Sequence, residues 1–129
     1  MTLPLVTVDL TWVQGASLDY PFQITQGSPA VPINFAFGGD WTGRAEVRDN
    51  TVDNGGVLVL ASTGTRINFT DRTNGKFSVV FTNTESSTPF ITSTYSQLFC
   101  DPEFIDPAGL VHKYFIIRFA MQGEYTATV

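Results

Sequence analysis

Apolar and polar residues alternate with a period of two along most of the chain, the spacing of a strand with one dry and one wet face. Val6, Val8, Leu10 and Trp12 share one side of the first run. Residues 17–24 (SLDYPFQI) follow, with Leu18, Tyr20, Phe22 and Ile24 expected inward. Pro21 falls on the outward phase and has no N–H to give a ladder, so this strand is expected at a sheet edge or bulge. Residues 25–32 (TQGSPAVP) read as a turn-rich connection, and Ile33, Phe35 and Phe37 then alternate up to a Gly-Gly turn. In residues 40–50 (DWTGRAEVRDN), Trp41, Gly43, Ala45 and Val47 face one way and Thr42, Arg44, Glu46 and Arg48 the other. Residues 41–48 are therefore expected to form one strand.

After a polar loop at 49–56, residues 57–61 (VLVLA) read as a short buried strand. Residues 66–70 place Ile67 and Phe69 inward, and Asn74-Gly75 offers a tight hairpin turn. Phe77, Val79 and Phe81 line the returning strand. The stretch 82–90 (TNTESSTPF) is the one place where a helical turn is expected, capped by Ser or Thr and stopped by Pro89. Strands are expected again at 92–100 and at 111–119, the latter apolar enough to be central. Between them, DPEFIDPAG (101–109) reads as a loop pinned by two prolines. Residues 120–123 are expected to turn and 124–129, which alternate, to form a last strand, so no solvated tail is expected after it. Short strands separated by turn signals at this spacing predict an all-β fold, an antiparallel β-sandwich of about 7–9 strands.

Composition supports that fold class. The 129 residues are expected to form one domain, 1–129, and a chain of this length buries roughly two-thirds of its unfolded surface without a metal or disulfide. Phe occurs 11 times and Thr is abundant, both suited to a pleated, half-buried surface. The single cysteine, Cys100, excludes an intramolecular disulfide and reads as a small buried apolar residue. The opening residues lack the basic and apolar regions of a secretory leader, and no run is long enough for a membrane-spanning helix. Synthesis in a reducing cytosol fits these features.

Charge narrows the partners. A net charge of −5, with seven scattered basic residues, supplies no patch to neutralise phosphates, so neither nucleic acid nor an anionic membrane is an expected partner. The Arg44, Glu46, Arg48 row is the wet face of a strand or, if completed by other groups, an Arg-clamped anion site. The loop 49–55 fails as a calcium loop, because Asn54 stands where glycine is needed and Leu60 where a bidentate Glu is needed. Asp101, Glu103 and Asp106 could hold a hard cation, but prolines beside both aspartates point to turn initiation instead. His112 is the one histidine, too few for a triad or a two-histidine metal site. Asn68-Phe69-Thr70 fits a glycosylation sequon by chance. No catalytic residue, metal or cofactor is therefore expected. Trp12, Trp41, Tyr20, Tyr95, Tyr114 and Tyr125 are read as core packing before sugar stacking. Phe104 and Ile105, apolar and between two Asp-Pro steps, either tuck under the sandwich or anchor a partner.

Several short motifs, taken in order, resemble a known family. They are Trp12-Val-Gln-Gly15, the strand SLDYPFQI, P-I-N-F leading to DWTGRAEVR (40–48), and V-L-V-L. NGKFSVVF (74–81), TNTESST (82–88), a strand with Tyr95, Asp106-Pro-Ala-Gly109 running to Val111, and GEYTATV (123–129) complete the order. The series is similar to the small immunoglobulin-like domains of tailed-phage structural proteins, including the N-terminal domain of siphophage upper-baseplate proteins. It spans nearly the whole chain, with Tyr95-Ser-Gln-Leu standing where Tyr-Asp-Leu is usual. The resemblance implies an immunoglobulin-like sandwich that is a structural or adaptor piece of a virion. Its expected partners are other virion proteins and copies of itself, and the Arg44-Glu46-Arg48 face would be open to a neighbouring subunit. Phe104 and Ile105 would be buried anchors. Decoration of the capsid head, and a glycan-binding module using exposed aromatics, are the alternatives.

Overall fold

Alternation produces strands where it runs cleanly, and shorter ones wherever a second sheet takes over. The computed structural model describes residues 6–13, 16–51, 55–62, 66–86 and 97–122. The first half of the chain contributes β1 (Val6–Val13), β2 (Leu18–Gln23), β3 (Thr25–Gln26), β4 (Val31–Pro32), β5 (Thr42–Arg44) and β6 (Val47–Arg48). The second half contributes β7 (Leu58–Leu60), β8 (Ile67–Asp71), β9 (Lys76–Phe81), the short helix α1 (Asn83–Ser86), β10 (Gln97–Cys100), β11 (Glu103–Ile105), β12 (Val111–His112) and β13 (Phe115–Gln122). Expected strands at 124–129 and at the start of 92–100 lie outside the described residues, as do Tyr95, Tyr125 and Pro89.

Two sheets form the sandwich. One has the order β1-β13-β10-β6-β7, and the other β2-β9-β8. β1 lies parallel to β13 over eight residue pairs, and the remaining neighbours are antiparallel. A three-stranded sheet facing a larger one, with the first strand laid along the last, is the immunoglobulin-like arrangement. Two small additions occupy connections of that frame. β3 and β4 make a hairpin, and β12-β11-β5 make a third sheet. The fold is all-β and immunoglobulin-like as expected, with the extra short strands arising from these insertions.

Aromatic rings fill the space between the sheets. Trp12 of β1 meets Phe81 of β9 at 4.5 Å and Phe119 of β13 at 5.4 Å. Further along, Phe104 of β11 packs on Phe77 and on Phe35, each at 4.9 Å. Phe77, Val79 and Phe81 are all buried, as the alternation of β9 requires. Pairs of this kind contribute about 0.5–1.5 kcal/mol each beyond the area they bury. Gly75, at a φ of +67°, lets the 72–74 turn close between β8 and β9, so the Asn-Gly signal was sound. Thr82 and Glu85 bond reciprocally across the start of α1 through Thr82 N–H to Glu85 Oε1 (2.9 Å) and Glu85 N–H to Thr82 Oγ1 (3.2 Å). That is a capping box, and it places the expected helical turn.

Five expectations need correction. Residues 41–48 do not form one strand, because β5 pairs with β11 in the small sheet and β6 pairs with β10 and β7 in the large one. The dry side still holds, with Trp41, Ala45 and Val47 buried. Residues 101–109 are not a plain loop, since β11 and β12 form a hairpin across the 106–110 turn. The apolar run 111–119 is likewise broken, into β12 and the central β13. Residues 57–61 are not buried, because β7 is an edge strand whose Leu58 is exposed beside an exposed Val57. Tyr20, expected inward, is exposed on the edge strand β2.

Gly43 explains how β5 passes so close to β8. A Cβ there would stand 2.7 Å from Cβ and Cγ2 of Ile67, a β-branched side chain with little freedom to yield. Gly43→Ala should therefore lower unfolding free energy by about 1–3 kcal/mol in urea titration. An unchanged midpoint would mean that β5 does not lie on Ile67. Phe104→Ala should cost more, about 3–5 kcal/mol, as expected for a fully enclosed ring rather than for a surface anchor.

Candidate functional site

Among the described residues, the most exposed large apolar side chain belongs to a turn that looks like a strand in sequence. Asn34 Oδ1 accepts from Ala36 N–H (2.9 Å), Phe37 N–H reaches Asn34 O (3.3 Å) and Gly39 N–H reaches Ala36 O (3.1 Å). The chain thus coils at 34–39, and Gly38 and Gly39 supply the positive φ that it needs. Coiling abolishes the period of two. Phe35 goes fully inward, while Phe37 is turned out with 76% of its surface exposed. Trp41 fixes the turn from below by donating its indole N–H to Phe37 O at 3.1 Å.

A second rigid turn lies beside the first. Asp106 caps it: Oδ1 accepts from Ala108 N–H (2.9 Å) and Leu110 N–H (3.0 Å), and Asp106 N–H donates to Leu110 O at 3.0 Å. This is the Asx chemistry that the Asp-Pro step implies. Leu110 is 64% exposed and Val111 47% exposed. A Cβ on Gly39 would stand 3.3 Å from Pro107 Cγ, so the two turns are in contact. Asp106 Oδ2 and His112 Nε2 are 2.9 Å apart, and the imidazole stacks on Trp41 at a ring distance of 4.8 Å. Phe37, Leu110 and Val111 therefore sit on one braced tip, formed where the connections 24–46 and 101–114 meet.

The anchors expected from sequence are placed differently. Phe104 is completely enclosed by Phe35, Phe69, Phe77 and Tyr114, so of the two readings it takes the tucked one and offers nothing to a partner. Ile105 is half-buried on β11, opposite Val111. Arg44 donates Nε–H to Glu103 at 3.0 Å. Arg48 reaches Glu46 at 2.7 Å and Gly56 O at 3.1 Å. The row is thus divided between two sheets, and its charges are neutralised within the chain. Exposed pairs of this kind contribute about 0–1 kcal/mol each. Asp101, Glu103 and Asp106 part company as well, to Lys113, Arg44 and His112 respectively. Among the described residues, no group of three or more His, Cys, Asp or Glu side chains converges on a point where a metal could sit.

Other chemistry finds little footing. Cys100 is buried, and burial pushes its thiol far above the ordinary range, which keeps the reactive thiolate away. Trp12 and Trp41 hide the ring faces that a sugar would need, and Tyr114 is half-buried. A shallow depression on the outer face of the large sheet is crossed by the ion pair of Asp9 and Arg118, at 2.6 Å.

One residue with a large structural role carried no sequence signal beyond its place before β8. Arg66 is fully buried, although the alternation there is led by Ile67 and Phe69. Its guanidinium lies 4.4 Å from the Phe81 ring centroid, bonds Ala61 O at 2.8 Å and pairs with Glu85 at 2.7 Å. The capping box that starts α1 is what holds Glu85 in reach, so a local motif sets up a buried ion pair. Only the T-x-x-E spacing could have suggested it.

No family model matches the chain, and no curated protein matches it.

Glu85 is held below the ordinary carboxylate range. Partial burial raises its pKa, but the Arg66 hydrogen bond, the Thr82 N–H and the Arg66 charge together outweigh burial. A depressed carboxylate stabilises the fold above its unfolded pKa, and that stability is lost as pH falls through the folded value. Glu85→Gln should cost about 3 kcal/mol at neutral pH, because it strands a buried cation. The gap to the parent protein should close below about pH 4, where the parent's own Glu85 takes up a proton. Chemical denaturation of both chains across that range checks the sign, and a gap independent of pH would contradict the pairing.

Proposed function

We propose that this chain is a non-enzymatic structural or adaptor protein of a tailed-phage virion, a tail, baseplate or fibre-attachment piece that docks in symmetric copies. The observation that carries the docking is the tip: Phe37 and Leu110 stand exposed on two turns whose backbones are held by internal hydrogen bonds, and exposed Val111 follows on β12. Interfaces draw most of their affinity from aromatic and aliphatic anchors at the centre of a contact, and anchors already fixed lose little entropy on binding. The immunoglobulin-like strand order and the motif order in sequence support the phage assignment. The strand-face arginines already hold intrachain partners, so apolar contact at the tip is the main attachment and charge sets register only weakly. Tail and head-decoration stations would use the same docking chemistry, and direct localisation separates them.

Electron cryomicroscopy or immunogold labelling of particles from the phage that encodes the chain should find it in symmetric copies on the tail. A Phe37→Ser, Leu110→Ser double substitution should lower incorporation about tenfold or more, with dichroism and melting unchanged because both side chains are exposed in the free chain. Labelling confined to the head would move the protein to decoration. Particles that lack the chain, or that take up the double variant normally, would overturn the reading.

A further inference from the structure

One residue between β8 and β9 grips the tip from the small sheet. Arg72 opens the 72–74 turn, and its carbonyl accepts from Gly75 N–H at 3.2 Å and from Phe35 N–H at 2.8 Å. Its guanidinium reaches the far end of the same connection. Nη2 donates to Trp41 O at 3.2 Å, and Nε lies 3.6 Å from Asp40 Oδ1. Trp41 N–H in turn donates to Phe35 O at 2.9 Å, which closes residues 35–41 into a ring. Phe37 stands in the middle of that ring. Arg72 therefore fastens both ends of the loop that carries it, one through its backbone and the other through its side chain.

The chemistry of the side chain suits this task. The guanidinium lies over the ring of Phe69 on β8, with Cζ 4.2 Å from the ring centroid, so an aromatic surface bounds it on one side. Its planar fork offers several N–H groups in fixed directions, and one fork serves a carbonyl and a carboxylate of the loop together. A lysine ammonium would be a single point charge on a flexible stem. These contacts fall on the loop, on the 72–75 turn and on Phe69, and none of them involves the exposed apolar side chains of the tip.

We propose that Arg72 is the positioning residue of the tip: by holding residues 35–41 at both ends, it sets where Phe37 meets a partner. The inference rests on the reading that the tip docks. An anchor that is already held in place loses little freedom on binding, so slack in the loop weakens docking without removing any contact to the partner.

Hydrogen exchange on the full chain tests the hold, and uptake into particles tests its use. Arg72→Met keeps an apolar stem beside Phe69 and leaves the backbone carbonyl, but removes the charge and the donors. Gly39 N–H, which bonds Ala36 O, and the Trp41 indole N–H, which bonds Phe37 O, should each exchange about tenfold faster, while the amides of β13 keep their protection. Incorporation should fall about tenfold or more, although Phe37 and Leu110 are untouched. Arg72→Lys restores the charge but not the fork, and should stay closer to Arg72→Met than to the parent. Unchanged loop exchange, acceleration spread evenly over the loop and β13, or full recovery with lysine would overturn the proposal. Normal uptake of Arg72→Met by particles that reject the Phe37→Ser, Leu110→Ser variant would do the same. A loosened loop with normal uptake of both variants would instead overturn docking at the tip, and leave only the hold of Arg72 on the loop.

Discussion

Ring packing between the two sheets is the constraint on which the other features depend. Trp12, Phe81 and Phe119 meet at one level, and Phe77, Phe35 and Phe104 at another. The buried apolar cluster runs without a break from Trp12 to Trp41. This continuity matters for the tip. Trp41 is part of the core through its edge-on contact with Phe35, and it also holds Phe37 O and stacks on His112. Rigidity in the interior is therefore passed to a surface turn by a single side chain.

Charges are arranged to cancel. Each of the five arginines lies within 4 Å of a carboxylate, and Lys113 does as well. Lys76, the remaining basic residue, is the register partner of Asp71. The chain therefore presents little positive potential of its own, although it contains seven basic residues. Such pairing leaves these basic side chains matched by carboxylates of the same chain. It also removes the strand-face arginines as strong determinants of docking. Exposed apolar area remains, and part of it, at Val31, Phe37, Leu110 and Val111, lies on the two inserted connections.

Strands whose neighbours lie in one sheet were legible in sequence. β1 and β8 follow the alternation, β9 buries the expected Phe77, Val79 and Phe81 with Ser78 buried among them, and Pro21 marked β2 as an edge, which it is. The failures share a cause. Alternation records which side of a residue is dry, but not which sheet makes it dry. Trp41, Ala45 and Val47 are all buried while the strand that should carry them is cut in two between sheets. The tip was misread for a related reason. Ile33 and Phe35 do point inward, and Phe37 was carried along by the period, although Asn34 and the Gly-Gly pair were the chemistry of a coil. Arg66 shows the other limit. A buried cation obeys no hydrophobic pattern and is stable only because a carboxylate distant in sequence and an aromatic face surround it.

The insertions are where this frame departs from a plain sandwich, and they carry exposed apolar residues of their own, Val31, Phe37, Leu110 and Val111. Residues 24–46 and 101–114 extend the connections before β6 and before β13. Each could have been a short solvated turn. Instead they pair with one another through β5 and β11, bury Phe104 beneath them, and raise Phe37 and Leu110 above. Burial of Phe35, Trp41 and Phe104 stabilises these connections, but it gives no reason for leaving Phe37 in water. A side chain held outward by the same hydrogen bonds that order its turn has no stabilising role in the isolated chain. Binding is the event that would make its exposure favourable, and a rigid scaffold with shaped connections is the usual place for it.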